Sequence, residues 1–212
     1  MEQESLASSV DGGSAASAQP DSAQTHDRRF TPYSATARGF HWLTVVATAV
    51  LVASGLVMVY RGKDLNIWDG LTNTLYASHK ALGFVVLVIV VLRLVYRLMH
   101  GAPPDAPTLT PVQRSASHAL HWLFYGVLLV LPLLGWIGIS MFPALDLFAG
   151  IKAPALTVPD QAMSKQVLWL HASLAYLLIV LIVMHVAAAL FHHFIRGDDV
   201  LRRMLPGLGK RN

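Results

Sequence analysis

The sequence predicts an all-α protein, a four-helix transmembrane bundle with both termini on the cytoplasmic side. Of its 212 residues, 54% are hydrophobic and only 13% are charged, whereas soluble domains carry about a quarter charged residues. Four apolar stretches are each long enough to supply the ~20 helical residues that cross a bilayer. Transmembrane strands would be about 10 residues long and would alternate in polarity, which these stretches do not.

The chain divides into a tail, a membrane domain and a second tail. Residues 1–30 are rich in Ser, Ala, Gln and Asp, so we expect a disordered N-terminal tail. This tail lacks the apolar core of a signal peptide. The membrane domain covers residues 31–200, and residues 201–212 form a basic C-terminal tail. The spans are expected at about residues 41–60, 79–98, 118–142 and 166–195.

Two local features modify this pattern. Pro132 lies inside the third span, where a bent helix is tolerated if its neighbours satisfy the freed carbonyl group. The connection at residues 143–165 is rich in proline, and we expect a structured loop with one helical turn.

Basic residues set the orientation, because cytoplasmic loops carry an excess of Lys and Arg. With both termini on one side, that side is the more basic. It holds Arg28, Arg29, Arg38, Arg97, Arg114, Arg196, Arg202, Arg203, Lys210 and Arg211. The opposite side holds Arg61, Lys63, Lys80, Lys152 and Lys165, partly offset by Asp64, Asp69, Asp146 and Asp160. Both termini are therefore predicted to be cytoplasmic.

Two histidines lie inside the fourth span, where a polar side chain is costly and therefore indicates function. His171 and His185 are 14 residues apart, which corresponds to about 21 Å of helical rise. Fourteen steps of about 100° end roughly 40° short of four full turns, so both side chains point to the same side of the helix. One helix face thus offers an imidazole at two depths.

The predicted topology gives these histidines partners at matching depths. His79 opens the second span at the outer face, as His171 does for the fourth. His41 opens the first span at the inner face, level with His185. The pairs predict two bis-imidazole metal sites stacked across the membrane. The chain has no cysteine, which excludes iron–sulfur clusters and covalent C-x-x-C-H haem. Non-covalent haem with two axial histidines has no open position, which favours electron transfer.

Other residues leave alternatives open. His118 and His121 share a helical face at the inner end of the third span, and either could replace His41 as a ligand or be solvated at the interface. His192 and His193 follow His185 and could deliver protons, because histidine titrates near neutrality. The role of His26 and His100 is unassigned. Small residues beside the histidines suit a flat cofactor or ordinary helix contacts; these are Gly83, Ala172, Ala175, Ala187, Ala188 and Ala189.

The motifs around these histidines resemble those of the bacterial cytochrome b561 family, which are small four-helix dihaem membrane cytochromes. The similar segments are Tyr33-Ser34, GFHW at 39–42, SHKALG at 78–83, HALHW at 118–122, LHASLAY at 170–176 and MHVAAALFHHF at 184–194. The resemblance covers about residues 30–208. It implies that His41 and His185 bind an inner haem b, and that His79 and His171 bind an outer one.

The resemblance also implies a bacterial inner-membrane protein and a choice of activities. Some members are similar to superoxide oxidases, which pass electrons from periplasmic superoxide through both haems to ubiquinone. Lys80, beside His79, is then expected to steer superoxide, and Trp42, His192 and His193 to line a quinone site. The alternative is an electron-transfer subunit that serves a periplasmic or dehydrogenase- or hydrogenase-type protein partner through the 143–165 loop.

Overall fold

A computed structural model describes residues 31–148, 150–205 and 207. Four helices account for most of them, and each is long and apolar enough to cross a membrane. The helices are α1 (Ala35–Val59), α2 (Gly70–His100), α3 (Pro111–Met141) and α4 (Gln161–Phe194). The predicted four-helix fold is confirmed. The predicted tail at residues 1–30, with His26, and most of the 206–212 segment lie outside the described residues.

Each helix begins at a side chain that accepts a hydrogen bond from a free backbone N–H group of the first turn, as expected for an N-cap. The capping residues are Ser34 for α1, Asp69 for α2, Thr110 for α3 and Asp160 for α4. These caps lie ahead of the apolar stretches, so all four helices start before the predicted spans. Gly101, at a φ of 70°, ends α2 in a conformation that glycine adopts without steric cost.

Two connections differ from expectation. The first helix does not stop at residue 60 but continues into a π-helical turn, Tyr60–Asp64. The helical turn predicted within residues 143–165 belongs to α4, which begins at Gln161, and the described residues before it hold turns and an isolated bridge between Asp146 and Lys152. Its proline residues disfavour a helix there.

The helices pack in chain order, α1 along α2, α2 along α3, and α3 along α4. The segment before α1 contacts the segment after α4, because the Tyr33 N–H group donates to the Arg203 carbonyl at 3.2 Å. Both therefore lie at one end of the molecule, as an even number of spans requires. The assignment of that end to the cytoplasm stays a prediction.

The buried core is an apolar layer at the middle of the bundle. It contains Ala47, Val86, Val90, Val127, Leu128, Leu131, Leu178 and Leu181. On each helix, the core residues lie between two polar or glycine residues, one nearer the outer end and one nearer the inner end. Val46, Val88 and Val183 point outward and are exposed, as expected for side chains that face lipid. The core therefore separates two functional layers.

Candidate functional site

Each of the four helices contributes one residue to an outer layer and one residue, 14 positions away, to an inner layer. The pairs are Gly55 and His41 on α1, His79 and Arg93 on α2, Gly135 and His121 on α3, and His171 and His185 on α4. Fourteen residues rise by about 21 Å along a helix. The structure thus extends to all four helices the spacing that the sequence shows on α4.

In the outer layer, His79 of α2 faces His171 of α4. Their ring centroids are 6.3 Å apart and the rings are inclined at 77°. The His79 Nδ1 atom lies 3.3 Å from the Ser54 hydroxyl of α1, which itself donates to the Leu51 carbonyl. A Cβ atom added at Gly55 would lie 3.0 Å from the His79 Cε1 atom, so the glycine gives the ring room to reach α1.

His171 is held in the same way by α3. Its Nδ1 atom donates to the Leu131 carbonyl at 2.9 Å, and a Cβ atom at Gly135 would lie 3.3 Å from its Cε1 atom. Pro132, which follows Leu131, lies inside an unbroken helix, where neighbouring groups compensate for the missing backbone donor. Because a carbonyl can only accept, Nδ1 carries the proton and Nε2 is free to bind a metal.

In the inner layer, His41 of α1 faces His185 of α4, again with ring centroids 6.3 Å apart, at 60°. His121 of α3 lies 5.7 Å from His185, and its Nδ1 atom donates to its own helix at the Ser117 carbonyl, at 2.6 Å. Arg93 of α2 completes the layer, with one guanidinium nitrogen 3.2 Å from the His41 Nδ1 atom.

Both facing pairs suit a metal held between two imidazoles. A metal–imidazole bond is about 2.0–2.1 Å long, so two rings ligating one metal from opposite sides have centroids roughly 6 Å apart. The observed value is 6.3 Å in both layers. At Gly83, beside the outer pair, an added Cβ atom would meet nothing within 4 Å, which leaves room for a flat group.

At the outer end, three of the predicted cations, Lys80, Arg61 and Lys152, bind other groups of the protein. The Lys80 ammonium group donates to the carbonyl groups of Ala144 and Asp146 and so fastens the loop between α3 and α4 over the outer layer. Arg61 pairs with Asp69 at 2.6 Å. The Thr72 backbone N–H group, followed by the Arg61 guanidinium, lowers the pKa of Asp69 to about 2.

At the inner end, Trp42 and His192 both contact the segment that follows α4. The Trp42 indole donates to the Met204 carbonyl at 3.3 Å, and its ring lies 5.2 Å from that of His41. His192 is buried, and its Nδ1 atom donates to the Asp198 carboxylate at 2.6 Å.

The remaining histidines of this end lie apart from the facing pairs. His193, which the sequence groups with His192, packs its ring against Phe194. His118 bonds to Asp105 at 3.0 Å, so of the two α3 histidines only His121 contacts His185.

Three site residues escaped the sequence reasoning, namely Gly55, Gly135 and Arg93. Glycine carries no chemical signal of its own, and a basic residue such as Arg93 near the end of a span is typical of an interfacial anchor. The usable signal was the 14-residue spacing, which also relates these residues to His41, His121 and His79 on their own helices.

Fold and geometry together define a four-span membrane protein with two stacked pairs of facing histidines. Comparisons with known proteins identify the family. The family model of prokaryotic cytochrome b561 matches residues 32–207. The chain is 32% identical to cytochrome b561 homolog 2 of Escherichia coli (strain K12), over 82% of this chain and 90% of the relative.

Two further relatives are more distant. Identity is 27% to cytochrome b561 homolog 1 of the same organism, over 82% of this chain and 97% of the relative. It is 24% to the probable superoxide oxidase CybB of Yersinia pestis, over 82% and 96%. The chain belongs to the prokaryotic cytochrome b561 family. It is a multi-pass bacterial membrane protein of electron transfer, and the family implies haem b.

Proposed function

We propose that this protein is a superoxide:ubiquinone oxidoreductase of the bacterial inner membrane that holds two haems b. The observation that carries the proposal is the equal 6.3 Å spacing of the two facing histidine pairs. The family supports haem b, and one relative is named a probable superoxide oxidase. When bound, the haems supply reversible one-electron chemistry at two depths of the membrane.

His79 and His171 are the proposed ligands of the outer haem, and His41 and His185 those of the inner haem. The Ser54 hydroxyl of α1 orients His79 and the Leu131 carbonyl of α3 orients His171, and metal-bound histidine usually has such a partner on its other ring nitrogen. In the inner layer, His121 competes with His41, because its Nδ1 atom is bonded to a carbonyl while that of His41 faces a donor. The matching 6.3 Å distance favours His41.

Lys80 is the proposed residue for attracting superoxide to the outer haem. It lies next to His79 in the chain, and its ammonium group bonds to two neutral carbonyl groups. Arg61 and Lys152 instead pair with carboxylates, which offsets their charge. A fixed cation beside a cleft raises the encounter rate of a small anion, and salt weakens this effect.

Trp42, His192 and His193 are the proposed contacts of ubiquinone at the cytoplasmic end. Trp42 lies beside His41, and His192 lies two helical turns beyond His185 on the same side of α4. Reducing a quinone to a quinol consumes two protons, and a histidine bonded to a carboxylate can relay them. The buried contact between His192 and Asp198 supports such a relay.

Superoxide-driven haem reduction tests this function. The purified protein is mixed with a superoxide source, and haem reduction and its reversal by added ubiquinone are followed by absorbance. We expect wild-type protein to be reduced and then reoxidised. Lys80→Glu should slow the reduction severalfold at low salt, and Lys165→Glu, the same charge change at the start of α4, should slow it less. Equal rates in all three proteins would refute steering by Lys80.

A second candidate, an electron-transfer subunit for a protein partner, is favoured by the outer loop. Phe148, Ile151, Leu156 and Val158 are exposed there, Val158 by 80%. A patch of exposed apolar side chains is typical of an interaction surface. Inertness of the haems toward superoxide, together with stable co-purification of a redox protein, would select this candidate.

A further inference from the structure

Arg93 is a cation without a carboxylate partner in the membrane-spanning part of the protein. It lies seven residues before the end of α2, and its side chain is half-buried. Helices α1 to α4 contain no Asp or Glu at all. An unpaired charge in this environment is costly, and no carboxylate of the described residues pairs with Arg93, so a partner of opposite charge is expected to come from outside these helices.

The contacts of Arg93 point into the inner layer. Its guanidinium lies 3.2 Å from the His41 Nδ1 atom and 5.6 Å from the centre of the Tyr125 ring. Arg93 also lies close enough to His185 to interact with its charge. Tyr125 can hold the cation over its ring face, but a neutral ring does not neutralise the charge.

The contact between Arg93 and His41 cannot persist when His41 ligates a metal. Guanidinium only donates hydrogen bonds, so the His41 Nδ1 atom must accept and the proton must be on Nε2. Metal binding through Nε2 moves that proton to Nδ1, which then faces a donor. Metal binding through Nδ1 removes the acceptor directly. Either way, Arg93 is released and requires an acceptor within its reach.

The matching position of the outer layer carries no permanent cation. Arg93 of α2 corresponds to His79, and neither Gly55 nor Gly135 brings a charge. Haem b has two carboxylates, its propionates, and Arg binds a carboxylate through two parallel hydrogen bonds. On the basis of the proposed function, we infer that Arg93 binds a propionate of the inner haem. The inner site then recognises that carboxylate through Arg93, whereas the outer site has no equivalent cation at the matching position.

A lipid phosphate at the inner leaflet is the other anion of suitable chemistry. Arg97 lies one turn closer to that end of α2 and close enough to His121 to interact with its charge. It is the better placed of the two for headgroups, because long basic side chains near a helix end extend to the interface. Arg97 therefore serves as the matched control for Arg93.

The test compares haem b with its dimethyl ester, in which both propionates are neutral. The full chain is produced without haem in detergent and titrated with each porphyrin. Wild-type protein should bind haem b about ten- to a hundredfold more tightly than the ester at one of its two sites. Arg93→Gln should abolish that preference, and Arg93→Lys should keep part of it. Arg97→Gln should behave as wild type.

A redox titration gives a second readout that does not depend on activity. Removing the positive charge in Arg93→Gln should lower the midpoint potential of one haem and leave the other unchanged, because a cation disfavours the more positive ferric state. Two results overturn the inference. One is an unchanged preference for haem b over its ester in Arg93→Gln. The other is that Arg93→Gln binds both porphyrins equally more weakly than wild type and loses bound anionic lipid. Failure of wild-type protein to bind two haems would instead overturn the proposed function.

Discussion

Replacing Gly55 by alanine should displace the His79 ring of the outer histidine pair while keeping both histidines. The added Cβ atom would lie 3.0 Å from the His79 Cε1 atom, so the imidazole must shift. The gain in helix propensity is about 0.5–1 kcal/mol. Overpacking of a filled site costs typically 1–3 kcal/mol, and a side chain about 30° off its rotamer costs of order 0.5–1.5 kcal/mol. The steric cost exceeds the gain.

The expected result is a selective loss of outer haem, measured as haem b per chain by the pyridine haemochrome assay. Weakening by about 1–3 kcal/mol corresponds to roughly five- to 150-fold in affinity. Gly126→Ala in the middle of α3 is the matched control, because Gly126 is exposed and its added Cβ atom meets nothing within 4 Å. Gly138→Ala is a second control, since it collides with Leu168 at 2.5 Å and should lower stability before it affects any histidine.

One result would refute the reasoning about Gly55. If Gly55→Ala binds the same amount of haem, with the same affinity and spectrum as Gly126→Ala, then the glycine is not needed for the approach of His79 to α1. The interpretation of Gly135 beside His171 would then fail with it, because the two contacts are equivalent.

Three further predictions concern the inner layer and the outer cap. His41→Ala should lower the haem content from two per chain to about one, whereas His121→Ala should keep both haems; the reverse result would make His121 the ligand. His171→Ala should remove the outer haem and leave the inner one, measured by redox titration as the loss of a single transition. Asp69 has a lowered pKa, so it stabilises the fold above pH about 4, and this contribution disappears as the pH falls toward about 2. Thermal denaturation of Asp69→Asn against wild type should therefore show a difference at neutral pH that vanishes in acid.

The helices and the order of the chain were predictable because hydrophobicity dominates the energetics of a membrane span. Four apolar stretches gave four helices, and the histidine pairs fell at matching depths. Helix starts were missed by several residues, because Ser34, Asp69 and Asp160 cap each helix ahead of its apolar part. Capping is a local hydrogen-bonding effect that hydrophobicity does not register.

The supporting residues of the site were less accessible to sequence reasoning. Gly55 and Gly135 leave space for the edges of histidine rings on other helices. This role depends on which helices are neighbours, and no local sequence pattern specifies that. Lys80 was expected to steer superoxide, and its bonds to the loop between α3 and α4 were not predicted. The path of that loop is set by tertiary contacts.

The haem content of the purified protein tests the central claim most directly. Two facing histidine pairs with 6.3 Å between ring centroids predict two haems b per chain. Replacing His79 and His41 by alanine, one at a time, should each remove about one haem, and replacing both should leave almost none. A wild-type content of one haem, or two haems that survive both replacements, would contradict the account.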